Sequence, residues 1–494
     1  MPSVLAIDLG TSGLKVAVVD EAGRVLGSAS APLTTTFLPG GGAEQDAEGW
    51  WQAIGECSRR AVASAGADVA AVAVTSQYMS IVAIDGAGRP LAPAVMWMDS
   101  RGAPHHRIDP ALALTFLERH GLAPLGFGDP MHIAFLREER PAVYAAAAAF
   151  VEPVDHLNAR LTGRICATQT TAMPLMTVDN RTHGVTDHDP DLVAAAGLDP
   201  AKLPPLVPFD EVVGPLTAEA AAHLGLGTDT VVVTGTLDSI TSGLGCGVID
   251  SSTAGVIVGT TSVLVTNLDR KDADYDHDLV SVPSPLPGRW FVMAENGVGG
   301  RALEVWLGVA GDTHAGAEQL ASTVPAGANG VLFLPWLAGS IAPSADSRVR
   351  GGFLNMGLAT TRADMTRAVY EGVALNAAWL LPHVAALAGA SWPSVRLGGG
   401  GATSPLWAQV FADALGVRVD RLAHPGTTNA RGAALLAHAQ LGHISLDDIP
   451  GLVEVAGVHE PDESAHATYQ GLLAHFIEFH QLVKPLYGAL NLRQ

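Results

Sequence analysis

Two short segments of the chain carry the same chemistry. Ile7-Asp8-Leu9-Gly10-Thr11-Ser12-Gly13-Leu14-Lys15 joins two apolar, β-rich runs through a small-residue turn. Val256-Ile257-Val258-Gly259-Thr260-Thr261-Ser262-Val263 does so again, with Gly259 standing 249 positions after Gly10 in a chain of 494. Each turn offers hydroxyls and closely approachable backbone N–H groups, the donor set that holds phosphate oxygens. Two such turns predict two similar lobes gripping a polyphosphate from opposite sides. Asp8 ends a buried strand, where a carboxylate is costly unless paired or metal-bound. Beside a phosphate turn it could hold Mg²⁺ directly or through water. The plainer reading makes it an Asx-turn in a hairpin, with Lys15 a solvated strand residue.

Three further groups could carry chemistry. Asp238, in Thr234-Gly235-Thr236-Leu237-Asp238-Ser239, follows a strand where a helix begins. It reads either as an N-cap or as a general base for a hydroxyl nucleophile, kept ionised by the helix dipole. Gly398-Gly399-Gly400-Gly401 lets backbone approach a flat ligand such as adenine or ribose, and Ser404-Pro405 then caps and opens the next helix. It is not a dinucleotide-binding GxGxxG. Gln77-Tyr78-Met79 and Trp97-Met98-Asp99-Ser100-Arg101 place amide, aromatic and charged groups at strand ends, where a polyhydroxylated ligand could meet them. Their structural alternative is a core Trp97 and Met79 with an Asp99–Arg101 surface pair.

The elements that position these residues are a mixture of strands and helices. A meander over 4–8, 14–19 and 24–30 precedes a helix over 45–65, which Asp46 can cap; strands follow at 69–75 and 80–84. From about 104 to 229 the pattern is mainly helical, a cap on the first lobe, and the alanine-rich run 142–151 reads as helix. Strand 231–235, a short Gly-rich helix over 238–247 and long helices at 362–387, 405–415 and 430–441 predict a mixed α/β second half. The length fits two domains. Net charge of −21 argues against nucleic acid or an anionic membrane as partner. Three scattered cysteines make neither a disulfide framework nor a zinc site, so a cytoplasmic setting is expected. No apolar run reaches membrane-spanning length.

Asp8-Leu9-Gly10-Thr11-Ser12 with Lys15, the Asp238 junction, Gly259-Thr260-Thr261-Ser262, and Gly398–Gly401 followed by Ser404-Pro405-Leu406-Trp407 together resemble the FGGY carbohydrate kinases, and among them the xylulokinase-like branch. The order and spacing run from about residue 4 to 440. The resemblance implies two ribonuclease-H-like domains of the actin/hexokinase type, here 1–245 and 246–494, with ATP and a sugar in the cleft between them. It implies Asp238 as catalytic base and sugar contact, and Mg²⁺ near Asp8 and Asp238. Gly10, Thr11, Ser12, Lys15, Gly259, Thr260 and Thr261 would face phosphates, and Gly399, Gly400 and Gly401 adenosine. Gln77, Tyr78, Met79, Trp97 and Asp99 would face the sugar. The implied reaction is phosphorylation of a small sugar hydroxyl, a ketopentose such as D-xylulose, by a cytoplasmic enzyme that is often a homodimer. Gln77-Tyr78-Met79-Ser80, Asp238-Ser239 and Gly339-Ser340-Ile341-Ala342-Pro343 depart from the xylulokinase pattern of Gln-Met-His-Gly, Asp-Asn/Gln and Gly-Glu-Arg-x-Pro. These departures leave open a kinase for another ketose or polyol, or a catalytically silent sugar or nucleotide sensor on the same scaffold.

Overall fold

Strand Ser3–Leu9 is buried along its whole length, because both of its faces are covered. Leu5, Ile7 and Leu9 pack with Trp50, Ile54 and Cys57 of helix Ala47–Ala65, whereas Val4 and Ala6 pack with Ala430, Ala433 and Ala434 of helix Thr428–Gln440. Side chains alternate along a strand, so Asp8 falls on the same side as Val4 and Ala6, toward the start of helix Thr428–Gln440. The computed structural model describes residues 2–105, 108–124 and 128–491.

The first sheet runs, edge to edge, Val25–Pro32, Gly13–Asp20, Ser3–Leu9, Val69–Ser76, Val231–Val233 and Val212–Pro215. Its first three strands are antiparallel and the next two join in parallel. The second sheet repeats this plan. Trp290–Val298, Thr261–Leu268 and Ala254–Val258 are antiparallel, and Ser394–Gly398 and Arg418–Leu422 follow in parallel. The parallel strands need helical crossovers, which makes each half an α/β lobe. In both lobes the Gly-Thr turn joins the sheet's central antiparallel strand to its neighbour.

Helix Thr428–Gln440 comes late in the chain yet packs on the first sheet, and it also meets helix Asp238–Gly245. Glycine permits that contact: a Cβ at Gly432 would lie 1.9 Å from the Thr241 carbonyl oxygen, and one at Gly245 2.0 Å from that of Thr428. Strand Thr236–Leu237, parallel to Val69–Ser76, delivers Asp238 to the end of the first sheet where Asp8 also lies.

Helices Ala47–Ala65, Arg362–Ala388 and Pro405–Leu415 match their predicted spans within two residues, and Asp46 and Ser404 cap two of them. The run 142–151 does not form one helix. Helix Pro141–Ala146 stops at an extended Ala147, and Ala149–Val151 pairs as a strand with Val82–Ile84. Phe150 and Val151 are strand formers, and burying Phe150 in the cap core and Val151 in the first lobe's core overrides the alanine propensity before them.

Candidate functional site

The two Gly-Thr turns are linked by a row of acidic groups. Asp8 stands directly across from Lys15 in the first hairpin, so the two side chains share one face. Burial pushes the Asp8 carboxyl up to about 6 against the pull of Lys15 and of a hydrogen bond from Asn429. One Asp8 oxygen, Oδ1, is buried without a hydrogen-bond partner. Asp238 is pushed up to about 7, by burial first and by the charge of Asp8 second. Glu295, on strand Trp290–Val298, is also pushed up to about 7 by burial, with a contribution from Asp238, while Thr261 hydrogen-bonds it. The row Asp8–Asp238–Glu295–Thr261 therefore runs from the first turn to the second.

Asp238 is the first residue of its helix, not its cap; Leu237 holds the cap position and offers no side-chain bond. The helix dipole also does not hold this carboxyl in its usual range. Helix Asp238–Gly245 has eight residues, and its dipole is outweighed by burial and by the like charge of Asp8.

Around this row the Gln77–Met79 segment and Trp97 converge. Thr11 Oγ1 donates to Gln77 Oε1 at 2.7 Å and accepts from Trp97 Nε1 at 3.1 Å. Its backbone oxygen accepts from Gln45 Nε2 at 2.7 Å. The Thr11 hydroxyl thus ties the first turn to the Gln77 segment, while Ser12 beside it is exposed. Gln77 Nε2 is buried and without a partner. The Tyr78 hydroxyl donates to Met293 Sδ at 3.0 Å and lies 3.5 Å from Ser239 Oγ, so it bridges the two lobes beside Asp238. Burial and the charge of Asp238 hold its proton far above the usual phenol range. Met79 adopts φ +56°, rare outside glycine, and its N–H donates to Glu152 Oε1 at 2.9 Å.

The second turn is set by its neighbours. Gly299 and Arg301 N–H groups donate to the Thr260 carbonyl at 3.1 and 3.2 Å, and Gly300 N–H donates to that of Gly259 at 2.7 Å. Thr260 and Thr261 remain exposed. Gly399 lies against the strand that leads into this turn: its φ is +76°, and a Cβ there would sit 2.6 Å from the Val258 carbonyl oxygen. Gly400 is exposed beside it.

Two expected contacts are corrected. Asp99 is 1% exposed, and its carboxylate is saturated by the Arg101 guanidinium at 2.6 Å and the Ala43 and Arg101 N–H groups at 2.8 and 2.9 Å. It braces strand Gly42–Gln45 and has no surface left for a sugar. Gly401 is buried, and a Cβ there would lie 2.7 Å from Val258 Cβ, so it serves packing and presents nothing to a ligand. Trp97, read alternatively as core, is 51% exposed.

Three participants escaped the sequence reading. Glu295 carried the signal used for Asp8, an acid in an apolar strand followed by glycine, in Met293-Ala294-Glu295-Asn296-Gly297. Glu152 and Asn429 carried none, because their partners are 73 positions away or more in sequence.

The arrangement fits Mg²⁺ on chemical grounds: a buried carboxylate oxygen with no protein partner, a second carboxylate beside it, and phosphate-type turns on either side. Comparison with known proteins gives the same direction. The model of the N-terminal domain of the FGGY family of carbohydrate kinases matches residues 3–245, and that of its C-terminal domain residues 254–441. A xylulose kinase of Staphylococcus epidermidis is 29% identical over 99% of this chain and 98% of its own length. One from Streptomyces rubiginosus is 31% identical, covering 83% of this chain and 82% of that protein. The crystal structure of xylulose kinase from Rhodospirillum rubrum superposes with a TM-score of 0.85 at 27% identity, covering 98% of this chain and 99% of the other.

Proposed function

That the chain belongs to the FGGY family of carbohydrate kinases is the premise from which we propose its acceptor and the division of labour among its residues. It phosphorylates a sugar with ATP. The proposed acceptor is a ketopentose, D-xylulose first, modified on a primary hydroxyl. The xylulose kinases similar over nearly the whole chain support this class. The observation that carries the mechanism is the carboxylate row between the two turns.

Phosphoryl transfer through a loose transition state demands in-line placement and charge stabilisation more than early deprotonation. In this proposal Asp238 orients the attacking hydroxyl and accepts its proton. A carboxyl near 7 suits that task close to neutral pH. Asp8, with its unsatisfied oxygen, and Asp238 would hold Mg²⁺, which when bound supplies positive charge to the phosphate oxygens. The backbone of Gly10–Ser12, Lys15, and the turn Gly259–Thr261 would cradle phosphates, and Gly399 and Gly400 the adenosine. Gln77, Tyr78, Met79 and Trp97 would line the sugar. Closure of the lobes would exclude water and suppress ATP hydrolysis. Three buried, free cysteines support a reducing, cytoplasmic setting.

ADP release measured across pentuloses, hexuloses and polyols tests the reading. Turnover is expected to be highest with D-xylulose. Release with none of them contradicts the kinase reading, and release that needs no sugar points to an ATPase.

A further inference from the structure

Outside the cleft, Asp274, His277 and His383 bring one ligand atom each to within 4.8 Å of one another. Asp274 ends the short strand Ala273–Asp274, His277 ends the turn Tyr275–His277, and His383 follows Pro382 near the end of helix Arg362–Ala388. His277 Nδ1 lies 2.7 Å from Asp274 Oδ2, and the two imidazoles face each other with centroids 3.9 Å apart at 30°. All three side chains are half-buried. Among the described residues, no protein group hydrogen-bonds the His383 ring, whose contact is with His277.

We infer that Asp274, His277 and His383 form a binding site for a divalent transition-metal ion, separate from the carboxylates of the cleft. Two imidazoles and one carboxylate suit Zn²⁺, Co²⁺ or Ni²⁺, whereas Mg²⁺ prefers oxygen ligands alone. Ligand atoms about 2.0–2.2 Å from a tetrahedral ion stand roughly 3.3 Å apart. The Asp274–His277 pair, at 2.7 Å, would open slightly to reach that separation, and His383 brings a ring nitrogen to within 4.8 Å of both. Water completes the coordination. The site sits in a hairpin that touches both halves of the molecule: Lys271 Nζ donates to the Glu118 carbonyl at 2.8 Å, and Tyr275 Oη to that of Leu117 at 3.1 Å. An ion here braces that hairpin against helix Arg362–Ala388.

The alternative needs no ion: an Asp–His hydrogen bond with a second imidazole stacked on it. Calorimetric titration of the EDTA-treated full-length protein with Zn²⁺, in excess Mg²⁺, separates the two. The site predicts one Zn²⁺ per chain and a higher melting temperature with Zn²⁺. Affinity falls about tenfold or more in both His383→Ala and His383→Gln. Both variants keep kinase activity, and Asp8→Asn keeps Zn²⁺ binding. Absence of stoichiometric binding overturns the site, as does unchanged affinity in both His383 variants or loss of binding in Asp8→Asn.

Discussion

Replacing Asp238 by Asn removes one charge from the carboxylate row and keeps the side-chain shape, and its two consequences have opposite sign. Activity falls. Loss of a positioned proton acceptor costs about 10²–10⁴-fold in kcat, or roughly 3–5 kcal/mol of transition-state stabilisation. Stability of the ligand-free protein rises, but only at high pH. The Asp238 carboxyl moves from 3.8 to about 7 on folding, which corresponds to as much as about 4 kcal/mol against the ionised form. A folded value above the unfolded one favours the fold below pH 3.8, and that contribution disappears as pH rises to about 7. The neutral Asn escapes this loss. Urea denaturation should therefore find the variant barely changed at pH 4 and clearly more stable than wild type at pH 8. Wild-type kcat/KM should fall tenfold per pH unit below about 7, and the variant's residual activity should lack that limb. Near-normal turnover, or a stability difference that does not vary with pH, would refute the reasoning.

The same sign applies to Glu295→Gln: its folded carboxyl near 7 makes the variant more stable than wild type at pH 8 and little changed near pH 4.5, as denaturation at both values would report. Gly399→Ala forces a side chain into a left-handed backbone and against the Val258 carbonyl, so KM for ATP should rise about tenfold with KM for sugar unchanged in steady-state kinetics. Glu152→Ala removes the acceptor that holds Met79 at positive φ, so KM for sugar should rise about tenfold while KM for ATP stays constant. Glu152→Gln, which keeps an acceptor oxygen, should restore most of that loss.

Much of this fold was legible because its elements are locally encoded. Helix Pro405–Leu415 announces itself through Ser404-Pro405 and ends at Gly416, and the strand before Asp8 is an unbroken apolar run. The two Gly-Thr turns were visible because backbone-mediated phosphate chemistry needs small residues in sequence. What stayed hidden depends on distant packing. Asp99 has the same composition as a ligand-facing acid, and only Arg101 and the Ala43 N–H show that it is consumed. The proton affinity of Asp238 could not be read from its helix position, because Asp8 lies 230 residues earlier in the chain. Asn429 reaches Asp8 only because Gly432 lets a late helix settle against Thr241. The cap run 142–151 misled because alanine propensity is weak beside the burial of Phe150 and Val151.

Opposed turns and the carboxylates between them are proposed to move a phosphoryl group from ATP to a ketose. Phosphorus NMR of the purified protein with D-xylulose and Mg-ATP follows that transfer directly. A new phosphomonoester signal, coupled to a CH₂ group, should grow in step with ADP and be absent with Asp238→Asn on the same timescale. Unchanged ATP, or inorganic phosphate in place of the ester, would contradict it.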